Sequence, residues 1–183
     1  VLSEDKKTWY PSQKSLDGSK LKGNPGEIRA DRGAEYYNSL KDFFRPNLNK
    51  LHDPFLMRDM DKAITRIETA IANNERILIY GDYDVDGITS TSLMVKVLTD
   101  LGARVDYYIP ERQSEGYGLN SEALNAIYDN KSSLLITVDC GISAVAEVEA
   151  ISDKLDIIIT DHHQPPEVLP KSFAIINPKQ VDC

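Results

Sequence analysis

Short runs of consecutive apolar residues constrain the fold of this chain more than any other feature. The clearest lie at 77–80, 134–138 and 157–160. Only Thr137 and Thr160 are polar in them, so the runs do not alternate with polar positions. Strands buried on both faces have such continuous runs, whereas strands with one solvated face alternate. Segments with helical spacing separate the runs. The sequence therefore predicts an α/β domain with three layers, a mainly parallel sheet with helices on both faces.

The same patterns set the expected element boundaries. Strands are predicted at 76–80, 104–109, 133–138, 155–160 and 173–176, and helices at 59–74, 88–101, 120–128 and 143–151. Asp59 is expected to cap the helix at 59–74 with its side chain.

The first fifty residues differ in character from the rest. Glycine and proline interrupt residues 1–34 without any period, which predicts a loop-rich arm. A short helix is expected at 36–44, ending before Pro46. The predicted division is an irregular arm with one short helix at 1–50 and the α/β domain at 51–183.

Composition narrows the class of protein. The chain of 183 residues is long enough for a real core, and its apolar runs are too short to span a bilayer. Two cysteines and a polar start without a signal-peptide pattern predict a cytoplasmic location. A net charge of −8 argues against nucleic-acid binding by bulk electrostatics, although bound cations would neutralise part of that charge.

Chemically active side chains follow three of the predicted strands directly. Open α/β sheets bind ligands at the carboxyl ends of their strands. Carboxylate oxygens with one or two imidazoles suit a hard divalent metal ion. The sequence thus indicates a metal-dependent hydrolase, with candidate residues Asp82, Asp84 and Asp86 after the first strand, Asp139 after the second, and Asp161, His162 and His163 after the third.

The first cluster leaves alternatives open. If strand geometry continues, Asp82, Asp84 and Asp86 point the same way, and a divalent cation would relieve their mutual repulsion. A solvated acidic turn before a helix is the alternative. An EF-hand is excluded because its twelfth position is Leu93. The run from Asp84 also resembles the aspartyl-nucleophile motif of haloacid-dehalogenase-type phosphatases, which need no later histidine pair.

The other two clusters differ in strength. A single aspartate after a strand often only caps the next helix. Asp139 is a candidate ligand because it repeats the pattern of the first cluster, an aspartate directly after a buried strand. Cys140 is interpreted as a small buried residue rather than a nucleophile. Asp161 can accept a hydrogen bond from an imidazole and set its tautomer. His162 can bind a metal, and His163 can contact phosphate or donate a proton; the alternative is a surface loop with two incidental histidines.

Together the motifs resemble a known family. Asp-x-Asp-x-Asp-Gly at 82–87, Val-Asp-x-Gly at 138–141 and Asp-His-His at 161–163 resemble the DHH phosphoesterase superfamily. Within it, the chain is similar to the RecJ family of single-strand-specific DNA exonucleases. The resemblance covers roughly residues 41–183, and further matching motifs lie at 43–46, 51–57, 109–112, 115–119 and 175–178.

The resemblance implies hydrolysis of phosphodiesters with two metal ions, Mn²⁺ or Mg²⁺. By position, it implies Asp84 and Asp86 as ligands of separate ions and Asp139 as the bridging carboxylate. It implies His162 as the imidazole ligand and adds Asp82 to the metal shell. The residues 51–183 would then be the phosphoesterase domain.

The catalytic pair and the partners also follow from the resemblance. It implies His163 as the phosphate contact, with Asp161 beside it, in a 5′-to-3′ exonuclease that degrades single-stranded DNA in repair and recombination. A helicase and a single-strand-binding protein are the implied partners. The family pattern continues past Cys183, so the chain is expected to be an N-terminal fragment. The alternatives are a phosphodiesterase for short oligonucleotides or cyclic dinucleotides, and a metal-binding module inactive alone.

Overall fold

Five parallel strands form the centre of the protein. The computed structural model describes residues 47–111, 118–120, 131–181 and 183. The sheet order is β2-β1-β3-β4-β5, and every pairing is parallel. The strands are β1 (Arg76–Tyr80), β2 (Arg104–Tyr108), β3 (Leu134–Val138), β4 (Asp156–Thr160) and β5 (Ala174–Ile176). The predicted arm, the helix at 36–44 and all but the first residue of the helix at 120–128 lie outside the described residues.

Helices cover both faces of the sheet. The described helices are α1 (Met60–Ala72), α2 (Val85–Asp100) and α3 (Val145–Ile151), and short 3-10 turns occupy Leu48–Lys50 and Pro54–Leu56. Apolar side chains of α1 and α2 share one core layer with Ile77 and Ile79 of β1. Those of α3 share the other layer with Leu78 and Tyr80. The predicted three-layer α/β fold is confirmed.

The central strands explain the continuous apolar runs. Every residue of β3 is buried, as are the middle residues of β4, because each strand has neighbours on both sides and side chains on both faces. The edge strand β2 is mostly exposed. In this order β1 has β2 on one side and β3 on the other, so the chain changes winding direction at β1 and β3. Such a switch point leaves a crevice at the carboxyl ends of the two strands.

Two local predictions are wrong. Asp59 makes no side-chain cap and has a left-handed φ of 60°; its Oδ2 instead accepts the Ile175 N–H at 3.1 Å, which satisfies an amide of β5. Helix α2 begins at Val85 rather than Ile88, because Asp84 caps it through the Gly87 N–H at 3.0 Å. The extended geometry expected for the Asp82–Asp86 run therefore ends before Asp86.

A membrane-spanning helix is absent from the described ranges, since none of their helices combines enough length with enough apolar character to cross a bilayer.

An ion-pair network joins α1 to the amino end of the sheet. Arg66 is 11% exposed, and its guanidinium contacts Asp156 Oδ2 at 2.5 Å and Glu75 Oε2 at 2.6 Å. The hydrogen bond from Arg66 lowers the pKa of Glu75. Stability from this carboxylate is therefore present above its unfolded pKa and is lost as the pH falls through the lower folded pKa.

We expect Arg66→Met to lower the free energy of unfolding at neutral pH by about 1–2 kcal/mol, because two partly buried carboxylates lose their partner. The difference from the wild type should shrink below about pH 4. Urea denaturation at several pH values measures both effects. Lys96→Met is the matched control, since its pair with Asp100 is exposed and worth less than about 0.5 kcal/mol. Equal losses in the two variants would contradict the role of Arg66.

Candidate metal centre

Asp82 lies just beyond the carboxyl end of β1 and is almost fully buried, with 2% of its surface exposed. The first turn of α2 passes directly over it. A Cβ atom at Gly87 would lie 2.4 Å from Asp82 O and 2.6 Å from Asp82 N, so only glycine fits there. This close approach holds Asp82 beneath the start of the helix.

Asp84 and Asp86 lie at the start of α2. Asp84 is the N-cap residue, and the Gly87 N–H lowers the pKa of its carboxyl. Asp86 is exposed in the first helical turn. The aspartates of this run therefore occupy three different local environments, although the sequence presents them as equivalent.

Asp139 follows β3 and adopts a left-handed backbone conformation with φ 61°. Its side chain is 7% exposed. Burial and the nearby Asp84 raise the pKa of Asp139. It does not cap α3, whose N-cap residue is Ala144 without a side-chain bond. The capping alternative considered for Asp139 is therefore wrong.

Asp161 follows β4, and its side chain is 1% exposed. Its Oδ1 accepts the backbone N–H groups of His162 at 2.7 Å and His163 at 3.0 Å. It also lies 2.7 Å from His163 Nδ1, while Oδ2 accepts the Ile142 N–H at 3.0 Å. Since Oδ1 acts as an acceptor in all of these contacts, Nδ1 of His163 carries the proton, and Nε2 is the acceptor nitrogen of the neutral ring.

His162 points back toward the β3 turn. Its Nε2 lies 3.0 Å from Asp139 Oδ1, and its ring is tilted against that of His163 with 4.7 Å between centroids. Its side chain is 59% exposed, so it stands at the open side of the site.

The structure brings these side chains together in two overlapping groups. Ligand atoms of Asp82, Asp84 and Asp139 lie within 4.8 Å of one another, and so do those of Asp139, His162 and His163. Asp139 belongs to both groups. Among the residues that the structure describes, Asp86 joins neither group.

The donor set fits divalent metal ions. Three close carboxylates with imidazole nitrogens are the ligands that Mn²⁺ and Mg²⁺ accept. Burial first, and then the nearby Asp84, raises the pKa of Asp139, and a bound cation would offset the cost of holding this carboxylate ionised. Cys140 is completely buried, and burial raises the pKa of its thiol, which agrees with its interpretation as a packing residue.

Two residues at the site were missed by the sequence reasoning. Thr137 is buried in β3 and donates to the Cys140 carbonyl at 2.8 Å. Asn177 is buried after β5, and its Nδ2 donates to the His163 carbonyl at 2.9 Å. The Asn-Pro pair at 177–178 was the available signal for the second. Nothing in the sequence distinguishes Thr137 from an ordinary strand threonine.

Similar proteins come from bacteria. The "Single-stranded-DNA-specific exonuclease RecJ" of Bacillus subtilis is 48% identical over 153 residues, which is 83% of this chain and 20% of that protein. The protein of the same name in Escherichia coli is 42% identical over 126 residues, covering 68% of this chain and 22% of that one. The chain thus spans about a fifth of the length of these relatives.

Solved structures agree with the sequence matches. A crystal structure of exonuclease RecJ bound to manganese matches with a TM-score of 0.66 at 34% identity, covering 72% of this chain and 34% of that one. RecJ of Thermus thermophilus in complex with Mn²⁺ matches with a TM-score of 0.63 at 30% identity, covering 79% and 20%. The model of the DHH family, N-terminal domain, matches residues 76–183. More than half of the chain carries this match, and the chain therefore belongs to the DHH family.

Proposed function

We propose that this chain is the metal-binding part of a single-strand-specific DNA exonuclease that hydrolyses phosphodiester bonds from the 5′ end in repair and recombination. The observation that carries the proposal is the position of Asp139, which belongs to both groups of ligand atoms within 4.8 Å. A carboxylate shared in this way suits two neighbouring metal ions. The substrate is taken from the similar proteins, which are named as single-stranded-DNA-specific exonucleases.

The metal ligands in this proposal come from all three strand ends. Asp139 would serve both ions, Asp82 and Asp84 would hold metal on the side of α2, and His162 would supply Nε2, which lies 3.0 Å from Asp139 Oδ1. Asp86 keeps its assignment as a ligand of the second ion by resemblance alone. When bound, the ions would activate a water molecule and stabilise charge on the phosphate oxygens.

His163 and Asp161 have the catalytic roles. Asp161 fixes the His163 ring through Nδ1 and the backbone, so Nε2 is held in one direction. In its protonated form, Nε2 would donate a hydrogen bond to a phosphate oxygen or a proton to the leaving oxygen. Asp161 is buried and accepts the hydrogen bond from Nδ1, so the ring keeps this orientation while Nε2 donates.

Several features of the whole protein belong to the same proposal. The 5′ polarity and partnership with a helicase and a single-strand-binding protein rest on resemblance to RecJ, as does the interpretation of 51–183 as a phosphoesterase domain. The cytoplasmic location and the irregular arm at 1–50 rest on composition and on the glycine and proline pattern. Because the chain spans about a fifth of its curated relatives, metal binding without turnover is the second candidate for this chain taken alone.

Asp139→Asn should abolish tight binding of at least one Mn²⁺ ion, because an amide is a poor substitute for a bridging carboxylate. Calorimetric titration of chelator-treated protein measures the loss. Asparagine tolerates the left-handed backbone, so the fold is kept. Unchanged manganese affinity would contradict the bridging role.

The same variant should be more stable than the wild type without metal. Since the pKa of Asp139 is raised in the folded state, its ionised form costs stability at neutral pH, and this cost is lost as the pH falls through that raised pKa toward the unfolded one. Thermal unfolding with chelator should rank Asp139→Asn above the wild type, and added Mn²⁺ should reverse the order. A wild type that is more stable under both conditions would refute this reading of the acidic cluster.

His163→Ala in the full-length protein should keep manganese affinity and lose roughly 10²–10⁴-fold in the rate of single-stranded DNA hydrolysis. Release of nucleotides from 5′-labelled single strands measures the rate, and calorimetry measures the metal. His52→Ala is the control, since His52 is exposed and lies before α1. If metal binding disappears in the His163 variant, His163 is a ligand rather than a phosphate contact.

A further inference from the structure

The turn at 139–141 decides where the Asp139 carboxylate points. Asp139 has φ 61° and Gly141 has φ 103°, so the chain reverses through two left-handed positions directly after β3. Glycine adopts such a conformation without cost, whereas aspartate persists there only when its surroundings hold it. The contacts that hold this turn therefore determine the geometry of the metal centre.

Thr137 lies under the turn. It is completely buried, and its Oγ1 donates to the Cys140 carbonyl at 2.8 Å. A Cβ atom at Gly141 would lie 2.7 Å from Thr137 Oγ1 and 3.3 Å from both Cβ and Cγ2 of the same side chain. The turn thus folds tightly over the threonine, with one hydrogen bond and one close packing contact.

Backbone bonds fix the two ends of the turn. The Asp139 N–H donates to the Thr160 carbonyl at 3.0 Å, and the Ile142 N–H donates to Asp161 Oδ2 at 3.0 Å. Between these anchors, the Thr137 hydroxyl holds the carbonyl in the middle of the turn. Without it, a buried carbonyl loses its donor, and the peptide that follows Asp139 loses a restraint on its rotation.

We propose that Thr137 is a positioning residue for the metal centre: its hydroxyl fixes the left-handed turn and thereby holds the Asp139 carboxylate between Asp84 and His162. Thr137 acts through Asp139 and does not itself bind the metal. This role rests on the proposed function of Asp139 as a shared ligand.

The neighbouring strand offers a matched control. Thr160 is the last residue of β4, a position similar to that of Thr137 near the end of β3. The Oγ1 of Thr160 donates to the Thr137 carbonyl at 2.7 Å. That hydroxyl bond joins the strands, and the Thr160 carbonyl that accepts the Asp139 N–H belongs to the backbone, which the substitution keeps. Valine has nearly the same shape as threonine and favours strands, so Thr137→Val and Thr160→Val each delete one hydroxyl with little change in packing.

The first measurement is the affinity for Mn²⁺ by calorimetry. We expect Thr137→Val to weaken binding about tenfold, the free-energy equivalent of one buried hydrogen bond. Thr137→Ser, which keeps the hydroxyl, should restore most of the affinity, and Thr160→Val should bind as the wild type does. If Thr137→Val fails to fold, Thr137→Ser and Thr137→Ala compare a side chain that has the hydroxyl with one that lacks it.

The second measurement needs no metal. Amide hydrogen exchange at Asp139 and Ile142 reports how firmly the turn is held, because both N–H groups are bonded at its ends. Thr137→Val should exchange about tenfold faster at these two amides, while Ile136 in the middle of β3 stays unchanged. Thr160→Val should leave the rates at Asp139 and Ile142 unaltered.

The outcomes distinguish the positioning role of Thr137 from the proposed metal site itself. Faster exchange in Thr137→Val, absent from Thr160→Val and reversed in Thr137→Ser, supports the positioning role. Equal effects of the two valine variants, or none in Thr137→Val, overturn it. If the wild type binds no Mn²⁺, the proposed metal site fails in this chain, and the exchange rates alone decide whether Thr137 holds the turn.

Discussion

The buried carboxylate of Asp161 links two of the three parts of the candidate site, the histidine turn and the turn that carries Asp139. Its two oxygens accept the amides of His162, His163 and Ile142, and one of them also meets the His163 ring. Hydrogen bonds to a charged acceptor are about twice as strong as neutral ones, and burial strengthens them further. One side chain therefore fixes the histidine turn and ties it to the end of the turn that carries Asp139.

The fold was largely readable from the sequence because the central strands are buried on both faces. Residues 134–136, 138 and 157–159 are apolar for that reason, and the order of strands and helices followed from them. The boundaries were less certain. Asp59 was expected to cap α1 but bonds to β5 across the fold, and the start of α2 depended on which aspartate captured the Gly87 amide. The first depends on a tertiary contact, and the second on which of several neighbouring aspartates accepts one amide. The spacing of apolar residues predicts neither.

The candidate site was predictable as a set of residues but not as a geometry. The sequence placed seven acidic or imidazole side chains after three strands. The structure gathers five of them into two groups, and a sixth, Asp161, contacts the His163 ring. Asp86 differs because the helix starts early and turns it toward solvent. Thr137 and Asn177 went unnoticed because their hydrogen bonds go to backbone carbonyls, and those acceptors exist only after the turns have formed.

The position of Asn177 bears on how this domain can be divided. Its side chain supports the His163 carbonyl from beyond β5, its Oδ1 accepts the Lys179 amide, and Gln180 bonds back to the carbonyls of Ile175 and Asn177. The histidine turn is thus supported by a small hydrogen-bond network, and the last residue of this network, Gln180, lies four residues after the last strand. A domain boundary placed at Ile176 would keep all five strands. It would remove Asn177, whose side chain donates to the His163 carbonyl and so supports the histidine turn.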